Sequence, residues 1–167
     1  MRLRATAAAL ACVVVTGLGP VQGASDSDLL AADVRASAAI LLAPEAHPGD
    51  PPAKALATLV RAVARLGKQS DLPEPFRSKM EAAVALVRDD RLPDDRTLQE
   101  LRSAYAALNG GQPFAFPPDV RGLEAVKEAA RRQADRGAAA LSAGRNEEAA
   151  REILGFVLVV ATPMEAP

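Results

Sequence analysis

Aromatic residues are scarce in this chain of 167 residues: they make up 3% of the sequence, with no tryptophan and one tyrosine. A core built from it must consist mainly of alanine, leucine and valine, and few rings are available on which nucleic acid bases could stack. No charge of one sign dominates either, since 20 Lys and Arg face 21 Asp and Glu, for a net charge of −1. A nucleic acid partner is therefore not expected.

Cysteine and histidine occur once each, as Cys12 and His47. A disulfide needs two cysteines, covalent haem needs a C-x-x-C-H motif, and a zinc site normally takes three or four ligands that are mostly His or Cys. His47 lies in the proline-rich segment of residues 44–52 and is interpreted as a solvent-exposed loop residue. Non-covalent haem held by His47 and Met80 is an alternative that this loop position disfavours. No metal or other cofactor is expected.

The first 24 residues follow the order of a secretory signal peptide. Residues 1–4 include two arginines, residues 5–21 are uncharged and largely apolar, and small residues follow. The sequence therefore predicts cleavage near Gly23 or Ala24 and a periplasmic or secreted protein. Two alternatives stay open, namely an uncleaved N-terminal anchor and lipidation of Cys12.

Cleavage would leave residues 25–167 as a single domain. The loss of Arg2 and Arg4 leaves 18 basic and 21 acidic residues, a net charge of −3. The longest apolar run of this domain is about nine residues, whereas a transmembrane helix needs about 20. Once the signal peptide is removed, the protein is not expected to be an integral membrane protein.

The predicted fold is all-α, an up-and-down bundle of five or six helices after the signal peptide. Apolar residues recur at helical spacing between prolines and glycines, and no segment shows sustained alternation with period two. Connections of about 3–10 residues suit such a bundle. The predicted helices cover about residues 26–43, with Ser25 or Ser27 as the cap, about residues 52–68 and 74–90, from the cap Asp94 to Asn109, about residues 119–143, and from the cap Asn146 to Pro163.

The last predicted helix is apolar on almost every side. The run Ile153 to Val160 has almost no polar interruption, which is typical of a central, buried helix. The stretch FVLVV, residues 156–160, is rich in β-branched residues, so a strand is the alternative, although no partner strand is evident.

The last two predicted helices form a hairpin with small residues at Gly137, Gly144 and Ala149 and a proline at Pro163. At these positions the hairpin resembles a single tetratricopeptide-type repeat, in which small residues let two helices cross closely. The similarity covers about 34 residues, and Gln133 stands where the family has an aromatic residue. Because a solenoid needs about three repeats, we interpret the segment as a generic αα-hairpin.

Two charged clusters are interpreted as ordinary helix-surface charges. The aspartate pairs at 89–90 and 94–95 lack the alternate spacing and the glycine of a calcium loop and are interleaved with arginines. The basic group at 127, 131, 132 and 136 is diluted by acidic neighbours, and Glu128 and Arg132 have the i, i+4 spacing of a surface ion pair.

The loop of residues 109–118 carries Phe114 and Phe116, two of the four phenylalanines. Either the rings tuck back onto the bundle or they form an exposed lip over a groove, and both are candidate partner-binding residues. No catalytic motif is present, since there is neither G-x-S-x-G nor a phosphate-binding loop. The leading hypothesis is a non-enzymatic exported module that binds an unknown protein or peptide. The alternative is a carrier of a small apolar ligand, and an enzyme would need a cleft that joins His47 to carboxylates.

Overall fold

The computed structural model describes residues 25–116 and 122–162. In these two segments all regular structure is helical, so the predicted all-α fold is confirmed and residues 156–160 are not a strand. The predicted signal peptide and Pro163 lie outside the described residues, as does the expected start of the fifth helix near Asp119. The helices are α1 (Asp26–Leu42), α2 (Pro52–Gln69), α3 (Glu74–Leu86), α4 (Asp95–Leu108), α5 (Leu123–Ser142) and α6 (Asn146–Ala161), and a 3-10 turn covers Pro44–Ala46.

Helix α6 is the centre of the bundle. Every residue from Ile153 to Val159 is buried, and α5, α2 and α4 pack around this helix. A helix that is apolar on every side needs neighbours on every side, and the bundle provides them. The prediction of a central, buried last helix is confirmed.

Consecutive helices pack against each other from α1 to α4, and α5 and α6 form a hairpin. The step from α4 to α5 is different, because the main neighbours of α5 are α1 and α6, whereas those of α4 are α3 and α6. Helices α4 and α5 therefore flank α6 on different sides. The chain that joins them brings Phe116 next to Val159 at the end of α6.

Two helices begin with the side-chain caps that the sequence predicts. Ser25 Oγ accepts a hydrogen bond from the Asp28 N–H at 3.2 Å. Asp94 Oδ1 accepts hydrogen bonds from the N–H and the hydroxyl of Thr97, at 2.8 and 2.6 Å. Each cap satisfies a backbone donor that the first helical turn leaves without a partner.

Helix α3 ends at Leu86, whereas the sequence predicted an end near Asp90. The backbone of Val87 is extended, and its side chain is 3% exposed in the core. Asp89 then reaches α2, where it pairs with Arg61 at 2.7 Å. The helix ends early because the chain turns to bury Val87 and to reach Arg61, and both are tertiary contacts.

The turn between α5 and α6 uses Gly144, whose φ of 71° favours glycine. The Arg145 N–H donates to the Ala140 carbonyl at 2.9 Å and closes the end of α5. Arg145 also takes the N-cap position of α6, and Asn146 is the first helical residue. The prediction that Asn146 caps this helix is wrong by one position. The Arg145 guanidinium pairs with Glu148 in the first turn, at 2.6 Å.

Glycines allow α5 and α6 to approach closely, as expected of the predicted hairpin. A Cβ at Gly137 would lie 2.7 Å from Ile153 Cγ1 and 3.4 Å from the Ile153 nitrogen. A Cβ at Gly155 would collide with the side-chain amide of Gln133. The absence of both side chains determines how deeply α5 sits against α6.

Candidate functional site

A cleft of about 330 Å³, here called the Phe116 cleft, lies beside α5, the end of α6 and the loop after α4. This volume is at the lower end of the range for ligand pockets. Its apolar lining is Phe116, Val126, Ala129 and Val159, and its polar lining is Arg132, Gln133 and Arg136.

The two phenylalanines of the loop take different positions. Phe114 is half-buried and packs edge-on against Tyr105 of α4, with 5.4 Å between the ring centroids and an interplanar angle of 89°. Phe116 packs edge-on against Phe114 at 6.0 Å, remains 37% exposed and lines the cleft. Phe114 is thus tucked against the bundle, and Phe116 is the lip. Each edge-on pair adds about 0.5–1.5 kcal/mol beyond area burial, so the two pairs hold the Phe116 side chain in place against α4.

Gln133 lines the Phe116 cleft and packs over the buried Gly155 of α6, and neither residue had a predicted role at this cleft. Gln133 of α5 occupies the space that a side chain at position 155 would take, and Tyr105 Cε2 is 3.5 Å from the Cβ position of residue 155. The available signal was a glycine inside an otherwise apolar helix, which often marks a close approach of two elements.

A second cleft, of about 250 Å³, adjoins the Phe116 cleft and shares Val126 and Val159 with it. Leu123, at the start of α5, lines this cleft and is 51% exposed. We call the two clefts together the Val126 groove. The other residues of the second cleft are Leu41, Leu42, Lys127, Ala130, Val160 and Thr162.

Among the described residues, the charged side chains that line the Val126 groove are all cationic. Each pairs with a glutamate: Lys127 with Glu124 at 3.6 Å, Arg132 with Glu128 at 3.4 Å, and Arg136 with Glu152 at 3.1 Å. The pair of Glu128 and Arg132 is the one that the sequence predicts. The pair of Arg132 and Glu128 is exposed on both sides and contributes about 0–1 kcal/mol, so Arg132 can exchange it for the carboxylate of a partner. Arg136 is held more firmly, because the Glu152 side chain is only 18% exposed and accepts two hydrogen bonds from it.

The side of α5 opposite the Phe116 cleft borders a third cleft, of about 300 Å³, here called the His47 cleft, which shares Leu42 with the second cleft. His47 is half-buried in it, so the expectation of a solvent-exposed loop residue is wrong. The 3-10 turn after α1 carries the chain back over the helix end, and the His47 N–H donates to the Pro44 carbonyl at 3.1 Å. The floor is Ala38, Ala39, Leu42, Ala43 and Ala134, and the other rim residues are Arg35, Arg131 and Asp135.

The predicted basic cluster is therefore divided between the two sides of α5. Arg131 faces the His47 cleft and Lys127, one turn earlier on the same side, faces the adjoining second cleft, whereas Arg132 and Arg136 face the Phe116 cleft. Since successive helical residues are turned by about 100°, the neighbours Arg131 and Arg132 point to different surfaces.

The other candidate residues have structural contacts. Asp89 pairs with Arg61, and Asp94 caps α4. The hydroxyl of Thr97, followed by its N–H, lowers the pKa of Asp94 below its ordinary value. Met80 is 1% exposed in the core and does not line the His47 cleft. In the described part of the chain, no group of three or more His, Cys, Asp and Glu is placed to hold a metal ion.

Comparisons of the chain with protein-family models, with curated proteins and with solved structures found no match. None of the helices described in residues 25–116 and 122–162 combines the length and apolarity needed to cross a membrane.

Proposed function

We propose that the chain is an exported, non-enzymatic helical module that binds a segment of a protein or peptide in the Val126 groove. The observation that carries the proposal is the lining of the groove, which is apolar and, among the described residues, bears cations as its only charged groups. Such a lining favours a partner segment that presents an apolar side chain next to carboxylates.

The apolar part of the groove offers two exposed anchors. Phe116 is 37% exposed and Leu123 is 51% exposed, so both have surface left to bury against a partner. Aromatic residues at the centre of an interface commonly contribute most of its affinity. Phe116 is suited to this role because its edge-on contact with Phe114 already restricts it.

The cationic part selects the charge of the partner. Arg132 and Arg136 lie one helical turn apart on α5 and both line the Phe116 cleft. Guanidinium groups bind carboxylates through two parallel hydrogen bonds, which gives them geometric preference as well as affinity. We therefore expect aspartate or glutamate beside the apolar anchor of the partner.

A carrier of a small apolar ligand is the second candidate. The observation that favours it is the cleft of about 250 Å³ beside Leu123, whose lining is mainly leucine and valine. In that case an uncharged apolar dye would bind at one site per chain, and acidic peptides would not compete with it.

The test is a selection of short random peptides, displayed on phage, against the immobilised full chain. We expect enrichment of peptides that combine a bulky apolar residue with aspartate or glutamate. Calorimetry of a synthetic consensus peptide should then show about tenfold weaker binding to Phe116→Ala. Leu92→Ala, which changes a 60% exposed leucine outside the groove, is the matched control.

Two outcomes would contradict the proposal. One is the absence of any acidic, apolar consensus among the selected peptides. The other is equal affinity of the consensus peptide for the parent chain and for Phe116→Ala.

Export is the second part of the proposal and rests on the order of basic, apolar and small residues in residues 1–24, which is typical of a signal peptide. Intact mass spectrometry of the chain isolated from the cell envelope should give a mass that corresponds to cleavage near Gly23 or Ala24. A chain that retains these residues, or that carries a lipid on Cys12, would show an anchored protein instead.

A further inference from the structure

We propose that the His47 cleft is a second binding site, which takes a small organic monocarboxylate with a short apolar chain. The cleft lies across α5 from the Phe116 cleft, and the proposal does not depend on the peptide-binding function of the groove. Its volume of about 300 Å³ suits a small molecule. The identity of the ligand class follows from the charges of the rim and the composition of the floor.

The rim carries a net charge of one positive unit when His47 is neutral. Arg35 and Arg131 supply two cations, and Asp135 supplies one anion. This balance matches a monoanion, because Asp135 would repel the second charge of a phosphate dianion. A planar carboxylate also fits the paired N–H groups of a guanidinium.

The two arginines are available to a ligand in different degrees. Arg35 has no ion pair within the described residues. Arg131 pairs with Glu128 at 3.3 Å, and the side chains are 59% and 49% exposed. An ion pair so exposed is weak and is readily exchanged for a bound carboxylate. Arg35 is therefore the better residue with which to test the site.

The floor accounts for the apolar part of the ligand. Ala38, Leu42 and Ala134 are 6, 7 and 1% exposed, and they present only hydrocarbon. Alanines at the meeting of α1 and α5 leave the depth that larger side chains would fill. His47 closes one side, and its imidazole supplies a polar group beside the carboxylate position.

His47 makes the site directly observable, because it is the only histidine of the chain. The imidazole proton signals in an NMR spectrum therefore report on this cleft alone. We would titrate the full chain with hexanoate, inorganic phosphate and 1-hexanol at constant pH and ionic strength. Hexanoate should produce a saturable shift of the imidazole signal, and the other two probes should bind at least about tenfold more weakly.

Substitutions identify the groups that bind. Arg35→Gln should weaken hexanoate binding about tenfold or more, because one charge-assisted hydrogen-bonding group is lost. Arg102→Gln is the matched control, since Arg102 is exposed on α4 and does not line the cleft. Asp135→Asn should strengthen binding a few-fold by removing the repulsive charge, a result that a purely structural role of this residue would not give.

The proposal would be overturned by the absence of a saturable hexanoate shift in the millimolar range. Equal binding of phosphate and hexanoate would overturn it as well, since it would remove the role of the apolar floor. Equal losses of hexanoate affinity in Arg35→Gln and Arg102→Gln would also overturn the proposal. None of these outcomes bears on the peptide selection at the Val126 groove, so the two proposals fail separately.

Discussion

The two sides of α5 show how one helix can border two unlike surfaces. Toward the end of α6 and the loop after α4 it borders the Phe116 cleft, which is apolar, aromatic and cationic. Toward α1 it borders the His47 cleft, which has an alanine-rich floor and charges of both signs. The difference comes from rotation about the helix axis, since Arg131 and Arg132 are adjacent in sequence and about 100° apart around the helix.

The neighbours of α5 explain why the two surfaces differ in shape. On one side α1 packs along α5, and the side chains between them are mostly alanine. On the other side α4 packs on α3 and α6, and the loop with Phe114 and Phe116 borders the space beside α5. The shape of the His47 cleft is therefore determined by helix packing. The shape of the Phe116 cleft depends on the contacts that hold the loop with Phe114 and Phe116.

The largest effect should come from the core of the bundle, on which both surfaces depend. Phe156 of α6 is fully buried, and Phe156→Ala should lower the free energy of unfolding by about 3–5 kcal/mol, because a large cavity replaces the ring. Both binding activities should weaken together. Urea denaturation measures the loss, and Leu92→Ala should stay within about 0.5 kcal/mol of the parent chain. A similar stability of the two variants would contradict the central role of α6.

The next effect separates the two surfaces. Phe116→Ala should weaken peptide binding about tenfold and leave the hexanoate shift of His47 unchanged, whereas Arg35→Gln should do the reverse. Calorimetry and NMR titration of both variants with both ligands measure this. If either variant impaired both activities, the two clefts would be one coupled site.

A smaller effect should distinguish the two glycines of the hairpin. Gly137→Ala should destabilise the fold by about 1–2 kcal/mol, because its Cβ would press on Ile153 in the core. Gly155→Ala should stay within about 0.5 kcal/mol, because the flexible end of Gln133 can move away and alanine favours the helix. Moving Gln133 should still weaken peptide binding. Equal destabilisation of the two variants in urea would contradict this reading of the interface.

The smallest effect is a dependence of stability on acid pH, and it involves the first turns of α1 and α4. The Ser25 hydroxyl lowers the pKa of Asp28 on α1, and the Thr97 hydroxyl lowers the pKa of Asp94 on α4, each from an ordinary value of 3.8. A lowered pKa means that the fold favours the charged carboxylate. Its contribution is complete above the unfolded-state pKa and is lost as the pH falls through the folded-state value.

The matched variant for this effect is Asp94→Asn, which keeps a capping oxygen and removes the charge. The Tm of the parent chain should exceed that of Asp94→Asn at about pH 5, and the difference should shrink toward about pH 3. Scanning calorimetry across this range measures it. A difference in Tm that grows as the pH falls would have the wrong sign and would refute the account.

The features that were predictable from sequence are those with a local or periodic cause. The burial of α6 follows from its lack of a polar face, and the caps at Ser25 and Asp94 follow from residue type and position. The early end of α3 was not predictable, because it depends on Val87 entering the core and on Asp89 reaching another helix.

The candidate sites were predictable only in part. Sequence position placed Phe116 in a loop but did not show that Phe114 would join it to Tyr105. His47 is half-buried because the turn after α1 folds back over that helix, and the proline-rich composition of the segment, which suggested exposure, does not show this. Each cleft is formed by residues from several helices and loops, so the spacing of residues along one helix cannot predict it.

The position of α6 in the chain also governs when the protein can fold. This helix is the last of those described, yet α2, α4 and α5 all bury their apolar faces against it. While the ribosome is still making the first four helices, those faces have no partner, and the pairing of α2 with α6 must wait until translation has passed residue 161. Consecutive helices from α1 to α4 can pack earlier, but we expect the core to be completed only after α6 has been made, which would keep the nascent chain loosely packed until then.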